Sequence, residues 1–262
     1  MNAPVISTKS LQKRFGAVVA ADDVSVDIVP GLTVGIIGAN GAGKTTFVNM
    51  VTGYIKPDSG QILFQGADIT RLSPRAVTRL GVRRSFQVAQ LFPALPIRDN
   101  VMIALASAAT ENPSSFRPLR TRERVAEADA FLTHIGLAGM GDRATTELPQ
   151  GQRKLLDIGL AMSGSPTALF LDEPTSGISA EEKFPLMDLV MEAVSGRSST
   201  VLFVEHDMDI VSRYTHRILA FYEGRIIADG EPQEVLQHAE VRRYVIGEPL
   251  HRTGKEAPRA AH

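Results

Sequence analysis

The sequence contains no cysteine, no long apolar run and almost no net charge. The lack of cysteine excludes a disulfide framework, a zinc–thiolate site and a cysteine nucleophile, and it fits a reducing cytosol. The 28 basic and 29 acidic residues leave a formal net charge of −1. This balance gives no sign of an anionic membrane surface as a ligand, and we expect no nucleic-acid partner.

No segment is apolar enough to cross a bilayer. The longest apolar run, residues 101–109, falls well short of the roughly 18 residues that a membrane span needs. The first four residues lack a basic region followed by an apolar one, so we expect no signal peptide. If a protein of this kind works at a membrane, a partner must hold it there. Its 262 residues, 44 % of them hydrophobic, suffice for one large domain or two small ones.

A glycine-rich stretch, Gly-Ala-Asn-Gly-Ala-Gly-Lys-Thr-Thr at residues 38–46, separates an apolar run from a helical pattern. Its spacing is that of a phosphate-binding P-loop. Glycines let backbone N–H groups approach phosphate oxygens, and the helix that follows adds its N-terminal dipole. We predict that Lys44 reaches the β- and γ-phosphates and that the Thr45 hydroxyl binds Mg²⁺. The predicted nucleotide cradle consists of Gly38, Asn40, Gly41, Ala42, Gly43, Lys44, Thr45 and Thr46.

A second stretch, residues 169–173, is an apolar strand that ends in the carboxylates of Asp172 and Glu173. This arrangement is typical of a Walker B strand, whose first acid serves the Mg²⁺ ion of the nucleotide. The acid that follows can polarise the attacking water as a general base. We therefore predict Asp172 at the metal and Glu173 as the catalytic base.

Strands alternate with helices along most of the chain, which predicts an α/β fold with a largely parallel sheet. The pattern becomes mostly helical between residues 95 and 164, where we predict an inserted helical subdomain. A polar interruption at residues 110–122 is predicted to be a mobile surface loop. Residues 217–221 and 225–228 predict a terminal hairpin, and the polar residues after 249 are expected to be disordered.

Three further segments resemble motifs of the ABC-type ATPases. Residues 148–152, Leu-Pro-Gln-Gly-Gln, resemble the signature motif, a helix N-terminus offered to the γ-phosphate of ATP on an opposite subunit. Gln87 stands where the family's Q-loop glutamine contacts Mg²⁺ or the attacking water. His206 follows an apolar strand directly and matches the switch histidine, whose imidazole donates to the γ-phosphate. The resemblance implies these catalytic or nucleotide-binding residues: Lys44, Gln87, Gly151, Gln152 and His206.

Residues 5 to about 248 thus resemble the nucleotide-binding subunit of an ABC transporter, most closely that of the branched-chain amino acid (Liv-type) importers. The closer resemblance rests on Arg-Ser-Phe-Gln at 84–87 with Leu-Phe-Pro at 91–93, Gly-Gln-Arg at 151–153, Val-Glu-His-Asp-Met-Asp at 204–209, and residues 241–248. It implies a P-loop NTPase core with a mixed sheet, an antiparallel β subdomain and an inserted helical subdomain. Phe15 takes the place of the A-loop aromatic that stacks on adenine, although a core aromatic is the alternative.

This resemblance divides the chain into four segments. Residues 1–94 are assigned to the RecA-like core with the antiparallel β subdomain and the P-loop, and residues 95–164 to the helical signature subdomain. Residues 165–248 complete the core with the Walker B strand, the D-loop and the switch histidine. Residues 249–262 are the tail.

Two residues depart from the family pattern. Pro149 replaces the signature serine, so the segment loses a hydroxyl and an N–H that would face the γ-phosphate. The loss of such a donor costs roughly 2–4 kcal/mol of transition-state stabilisation. Ser179 stands where a D-loop aspartate is common, which weakens a link between subunits. The large Gln150 is in keeping with the Liv-type relatives.

The resemblance implies ATP and Mg²⁺ as ligands and a transporter as the assembly. ATP closes two ATPase subunits head to tail, and the helical insert then presses on transmembrane permease subunits at the cytoplasmic face of the membrane. A solute-binding protein is implied indirectly. The apolar residues Val88, Leu91, Phe92 and Leu95 suit either a permease groove or local packing. If two different ATPase subunits pair, the weakened signature predicts one strong and one weak ATP site.

Other functions stay open at this point. A translation or DNA-repair ABC ATPase usually carries two cassettes or a long coiled-coil insert, and this sequence has neither. A P-loop kinase does not need Gln87, the signature segment and His206 in this order. A regulatory subunit with weak hydrolysis, the ATPase of a urea-type importer or of an exporter, and a homodimer with two weakened sites are the remaining alternatives.

Overall fold

The computed structural model describes residues 3–85, 91–108, 118–195 and 199–247. Gln87, Val88, most of the predicted surface loop and the predicted disordered tail lie outside these ranges. Within them, strands and helices alternate as the sequence predicts, and their bounds fall within a few residues of the predicted ones.

The strands are β1 (Ile6–Phe15), β2 (Val18–Ile28), β3 (Thr33–Gly38), β4 (Ser59–Phe64), β5 (Ala67–Asp68), β6 (Val82–Arg84), β7 (Ala168–Asp172), β8 (Thr200–Val204), β9 (Arg217–Tyr222) and β10 (Arg225–Gly230). The helices are α1 (Lys44–Val51), α2 (Pro74–Arg79), α3 (Ile97–Ala108), α4 (Arg122–His134), α5 (Gln150–Met162), α6 (Ala180–Ser195), α7 (Met208–Tyr214), α8 (Pro232–Gln237) and α9 (Ala239–Val241). A 3-10 turn covers Thr145–Glu147, and a π-helical segment covers Arg242–Ile246.

A six-stranded sheet in the order β10-β9-β3-β8-β7-β6 forms the centre of the molecule. Its strands are parallel from β9 to β6, and β10 pairs antiparallel with β9 in the predicted terminal hairpin. Because β3, β8 and β7 are parallel neighbours, their carboxyl ends meet at one edge of the sheet. The P-loop and the Walker B acids therefore leave the sheet at the same edge, with β8 between their strands.

A smaller sheet of four strands, in the order β2-β1-β4-β5, pairs antiparallel throughout. Along β2, Val24, Val26 and Ile28 are buried while Ser25 and Asp27 are exposed. This alternation is that of a strand with one face on the core. The mixed main sheet and the antiparallel second sheet confirm the predicted fold class.

Two hydrophobic clusters cover the two faces of the main sheet. One joins Ile36, Phe170 and Leu202 to α1 and to the smaller sheet. The other joins Ile37, Leu171 and Phe203 to helices from α3 to α7. Burial on both faces explains the continuous apolar runs of β3, β7 and β8. The helices of the predicted insert share a core with the sheet.

Local capping matches the sequence where it can be checked. The Oγ atom of Ser73 accepts a hydrogen bond from the N–H of Ala76 at 3.3 Å, and Pro74 occupies the first turn of α2.

In the described ranges, no helix combines the length and the apolarity that crossing a membrane requires.

Candidate nucleotide site

The P-loop connects the fully buried strand β3 to helix α1, and its glycines are required by close backbone contacts. Gly43 has a φ of +104°, and a Cβ atom there would lie 2.4 Å from the carbonyl oxygen of Ala20. A Cβ atom at Gly38 would lie 2.5 Å from the carbonyl oxygen of Phe221. No other residue fits these two positions, so the loop keeps its backbone N–H groups open to a ligand.

Lys44 lies inside this loop. Its buried ammonium donates to the carbonyl oxygens of Gly38 at 2.6 Å and of Ala39 at 3.0 Å. Burial lowers the pKa of Lys44, and the nearby carboxylates of Glu173 and Asp172 oppose that shift. The two predicted acids are therefore within electrostatic range of the P-loop lysine. Thr45 is exposed and Thr46 half-buried in the first turn of α1.

Asp172 ends the buried strand β7 and forms an ion pair that the sequence analysis did not predict. Its Oδ2 atom accepts from Nη2 of Arg84 at 2.5 Å, and both side chains are almost fully buried. Arg84 also donates to Oδ1 of Asn49 on α1. In the parallel register Arg84 stands beside Phe170, two residues before the aspartate. Two consecutive arginines in the short strand β6 are the signal that could have indicated this pair.

Glu173 adopts a left-handed backbone conformation, with a φ of +46°. Its N–H donates to the carbonyl oxygen of Val204 at 3.0 Å. Its Oε1 atom lies 3.1 Å from Nε2 of His206, which follows β8. Both side chains are accessible at the edge of the sheet. The structure thus brings together the residues predicted as base and as switch histidine, which are 33 positions apart in sequence.

The signature segment forms the start of α5. Pro149 occupies the N-cap position, where it provides no side-chain hydrogen bond, and the helix begins at Gln150. The guanidinium of Arg153 donates to the carbonyl oxygens of Thr146 and Leu148, each at 3.2 Å. In the residues that the structure describes, neither Gly151 nor Gln152 forms a hydrogen bond or ion pair with the P-loop of the same chain.

The signature segment instead packs against the loop that follows Glu173. A Cβ atom at Gly177 would lie only 2.0 Å from Nε2 of Gln150, so the glutamine side chain rests directly on the glycine. Farther along this loop, Oγ of Ser179 donates to Oε2 of Glu182 at 2.8 Å. The two departures from the family pattern, Pro149 and Ser179, therefore flank one contact between the signature helix and the D-loop.

Phe15 ends β1 and is half exposed, at 48 % of its maximal accessible area. The ammonium of Lys13 lies 5.5 Å from the centre of its ring. The ring is available to a ligand and does not belong to either buried cluster. Gln87, the predicted Q-loop residue, lies outside the described residues.

A cavity of about 260 Å³ opens between the main sheet and the helical segment. Tyr54 and Phe92 line it, and each exposes 53 % of its accessible area. Buried Asn100 fixes the loop around Phe92, because its Oδ1 accepts from the Phe92 N–H at 2.7 Å. Its amide donates to the carbonyl oxygens of Phe92, Leu95 and Pro96. The result is a groove with two exposed aromatic rings, one of them on a loop that Asn100 holds by hydrogen bonds.

Comparison with known proteins gives a consistent result. The family model described as "ABC transporter" matches residues 21–176. The high-affinity branched-chain amino acid transport ATP-binding protein LivG of Escherichia coli (strain K12) is 33 % identical over 95 % of this chain and 100 % of that protein. The corresponding protein BraF of Pseudomonas aeruginosa is 31 % identical over 95 % of this chain and 100 % of that protein.

Solved structures agree in fold. An ATP-binding cassette of an ABC transporter in its ADP conformation is 32 % identical, with a TM-score of 0.82, over 94 % of this chain and 99 % of that chain. A dimeric ATP-binding cassette bound to ADP and phosphate has a TM-score of 0.75 over 87 % of this chain and 98 % of that chain. At 22 % identity the second likeness concerns the fold alone.

Proposed function

The chain belongs to the ABC transporter family of ATP-binding subunits, and on this premise we propose that it powers the import of branched-chain or related amino acids. It is an ABC-type ATPase and binds nucleotide. The proposed cargo is supported by the names of the relatives LivG and BraF, which match nearly the whole chain.

The observation that carries the proposal is the 3.1 Å contact between Glu173 and His206, within electrostatic range of Lys44. In the proposed reaction Glu173 accepts the proton of the water that attacks the γ-phosphorus of ATP. His206 donates to the γ-phosphate as negative charge develops, and Lys44 leaves the carbonyl oxygens of its own loop to pair with the phosphates. ADP and inorganic phosphate are the products.

Mg²⁺ fits the oxygen donors that the site offers. The carboxylate of Asp172 and the hydroxyl of Thr45 would hold the ion, which would neutralise phosphate charge when bound. The described residues contain no cluster of three or more acidic or histidine side chains suited to a metal. Such a sparse donor set suits an ion that keeps several waters and is held largely by phosphate oxygens.

We assign the remaining predicted residues to the nucleotide on the same basis. The exposed ring of Phe15 is proposed to stack on adenine, and Gly38, Asn40, Gly41, Ala42, Gly43 and Thr46 to cradle the phosphates. Gln87 is proposed to contact Mg²⁺ or the attacking water. Gly151 and Gln152 are proposed to serve the nucleotide of a second ATPase subunit, which explains why they make no bond to their own P-loop.

Membrane attachment is proposed to come from permease subunits, which the family implies as partners. The groove beside Tyr54 and Phe92 is a suitable surface for a short helix of a permease, because it exposes two aromatic rings and is close to the Walker B strand through Arg84. On this proposal the subunit lies at the cytoplasmic face of the membrane. A solute-binding protein would deliver the cargo. We also propose that the chain is divided into the four segments given by the resemblance.

A second candidate is a regulatory subunit with weak hydrolysis. Pro149 at the N-cap of α5 and Ser179 in the D-loop favour it, because each removes a group that would serve ATP at the dimer interface. The strained, histidine-paired Glu173 favours hydrolysis instead, because a subunit that only binds ATP does not need a poised base. We therefore rank the ATPase of an importer first.

The test is steady-state ATP hydrolysis by the purified chain with Mg²⁺, beside Glu173→Gln and the matched control Glu181→Gln on the exposed start of α6. Glu173→Gln is expected to lower turnover by about a hundredfold or more while ATP still binds, and the control to leave turnover unchanged. Residual turnover near the wild-type rate in Glu173→Gln would refute the assigned base. Wild-type chain that binds ATP without turnover would indicate an obligate partner ATPase. Uptake of radiolabelled leucine by cells carrying each variant tests the cargo.

A further inference from the structure

Glu205 is a buried acid to which the proposed mechanism gives no role. It lies between the last residue of β8 and His206, and only 4 % of its accessible area is exposed. An ionised carboxylate at such a position is costly unless several donors compensate it. The donors around Glu205 therefore indicate what this side chain does.

Three hydrogen bonds converge on the Glu205 carboxylate. Its Oε1 atom accepts from the N–H of Thr175 at 2.8 Å and from Oγ1 of the same residue at 2.7 Å. Its Oε2 atom accepts from the N–H of His206 at 3.1 Å. Thr175 is itself 2 % exposed and lies two residues after Glu173. The carboxylate thus binds the loop after Glu173 on one side and the backbone of His206 on the other.

A buried cation contributes to the compensation. The ammonium of Lys154 on α5 donates to the carbonyl oxygen of Asp172 at 3.2 Å and interacts electrostatically with Glu205. Apolar side chains would fill the same space at a lower desolvation cost. A charged group held by three hydrogen bonds at this position therefore indicates a demand for defined geometry rather than for stability alone.

The geometry that needs support is that of the proposed base. Glu173 holds a left-handed φ of +46°, a conformation that costs a non-glycine residue free energy and persists only where neighbouring bonds fix it. Its own N–H is fixed by Val204 at 3.0 Å. The bonds between Thr175 and Glu205 fix the chain on the other side of the strained residue. The segment 173–175 is therefore tied to the neighbouring strand at both ends.

We propose that Glu205, acting through Thr175, is a positioning residue that holds the backbone of Glu173 so that its carboxylate faces His206. The inference rests on the proposed function, because it gives a task to residues around the assigned base. Glu205 does not touch the nucleotide in this scheme, and it acts on the rate of hydrolysis rather than on ATP affinity. The Thr175 hydroxyl is the part of this arrangement that a single conservative substitution can remove.

The decisive pair of variants is Thr175→Val and Thr175→Ser. Valine keeps the shape and the N–H but removes the hydroxyl, whereas serine keeps the hydroxyl. Thr215→Val is the matched control, because Thr215 is also buried and its Oγ1 donates to the Val211 carbonyl oxygen at 2.7 Å, outside the site. Turnover is measured in the transporter complex co-purified through a tag on this chain, together with ATP affinity, melting temperature and amide exchange of residues 173–178.

Thr175→Val is expected to lower kcat roughly tenfold, with unchanged ATP affinity and faster amide exchange at 173–178. Thr175→Ser is expected to restore kcat, and Thr215→Val to lower the melting temperature alone. Equal kcat in Thr175→Val and wild type would overturn the proposal, as would a kcat loss in Thr215→Val of the same size.

Glu205→Gln provides a second, independent arm. The new amide group directs an N–H at the backbone N–H of His206 or of Thr175, so we expect kcat to fall. The double variant with Thr175→Val should show little further loss of kcat. Full additivity of the two losses would contradict a shared role. If Glu173→Gln retains turnover, the assigned base itself is wrong. If Glu173→Gln abolishes turnover while Thr175→Val matches wild type, only the inference about Glu205 fails.

Discussion

Helices α1 and α5 each begin at a segment that we propose to face phosphate, but the two segments offer different numbers of hydrogen-bond donors. Before α1 stand three glycines and a loop that wraps around the ammonium of Lys44. Before α5 stands Pro149, which provides neither an N–H nor a hydroxyl. The P-loop thus combines glycines and a lysine, whereas the signature segment that we propose to serve a second subunit has fewer donors.

The supports of the two helices also differ. The P-loop is held by its own backbone and by the hairpin, since the Gly224 N–H donates to the Ala42 carbonyl oxygen at 3.0 Å. The start of α5 rests on the D-loop through the close contact between Gln150 and Gly177. We therefore expect a change at Gly177 to reach the signature segment, which is proposed to serve a second subunit, more directly than it reaches the chain's own P-loop.

The largest effect is expected when the two ATP sites of a heterodimer are inactivated separately. Glu173→Gln removes the base of the site that uses this chain's P-loop and the partner's signature, and turnover should fall about a hundredfold or more. Replacing the corresponding base of the partner ATPase should change turnover little, because that site depends on the weakened signature with Pro149. The effects of both base substitutions are measured by ATP hydrolysis and solute uptake in the reconstituted transporter.

Restoring the hydrogen-bond donors that are missing at Pro149 provides the control for the difference between the two ATP sites. Pro149→Ser returns a hydroxyl and an N–H to the N-cap of α5, and it should make the partner's base contribute measurably to turnover. Comparable losses from the two base substitutions in the native pair would refute the idea of one strong and one weak site. In a homodimer Pro149→Ser should raise turnover at both sites.

A smaller effect is expected from Gly177→Ala, which tests the support of α5. The added Cβ atom would displace the Gln150 side chain, and its backbone would be strained because φ is +74°. Gly139→Ala is the matched control, since Gly139 has a φ of +75° and open space around the Cβ position. Each variant should lose about 1 kcal/mol of unfolding free energy. In a homodimer, where both ATP sites use this signature, only Gly177→Ala should also lower turnover, by several-fold, and unchanged turnover would show that the contact does not support the signature segment.

The sequence predicts the two phosphate-directed helix termini because each is a local pattern of about nine residues or fewer. It also predicts Glu173 and His206 as site residues that each follow an apolar strand, and the structure shows that these two strands are neighbours in the sheet. The ion pair between Arg84 and Asp172 and the bonds between Glu205 and Thr175 were not predicted. They depend on the register of β6 with β7 and of β7 with β8, in which Asp172 stands beside Val204. Register is set by packing of the whole sheet and leaves no local pattern.

The smallest expected effect is a pH dependence of ATP affinity that involves the P-loop lysine but not the signature segment. ATP binding requires the charged form of Lys44. Burial lowers the pKa of Lys44 from its ordinary value, whereas the carboxylates of Glu173 and Asp172 raise it. Phosphate contacts in the complex favour the charged form and raise this pKa again. Between the two pKa values binding is coupled to proton uptake, so affinity for a non-hydrolysable ATP analogue should fall as the pH rises.

Glu173→Gln sharpens the pH test, because it removes one of the two charges that raise the pKa of Lys44. The fall in affinity should therefore begin at a lower pH in this variant than in the wild-type chain. Lys44→Arg keeps its charge across the range and should bind with an affinity that does not depend on pH in this way. Pro149→Ser should leave the profile of the isolated chain unchanged, because the signature serves the other subunit. If Glu173→Gln and wild type gave the same profile, the electrostatic coupling between the base and the P-loop lysine would be absent.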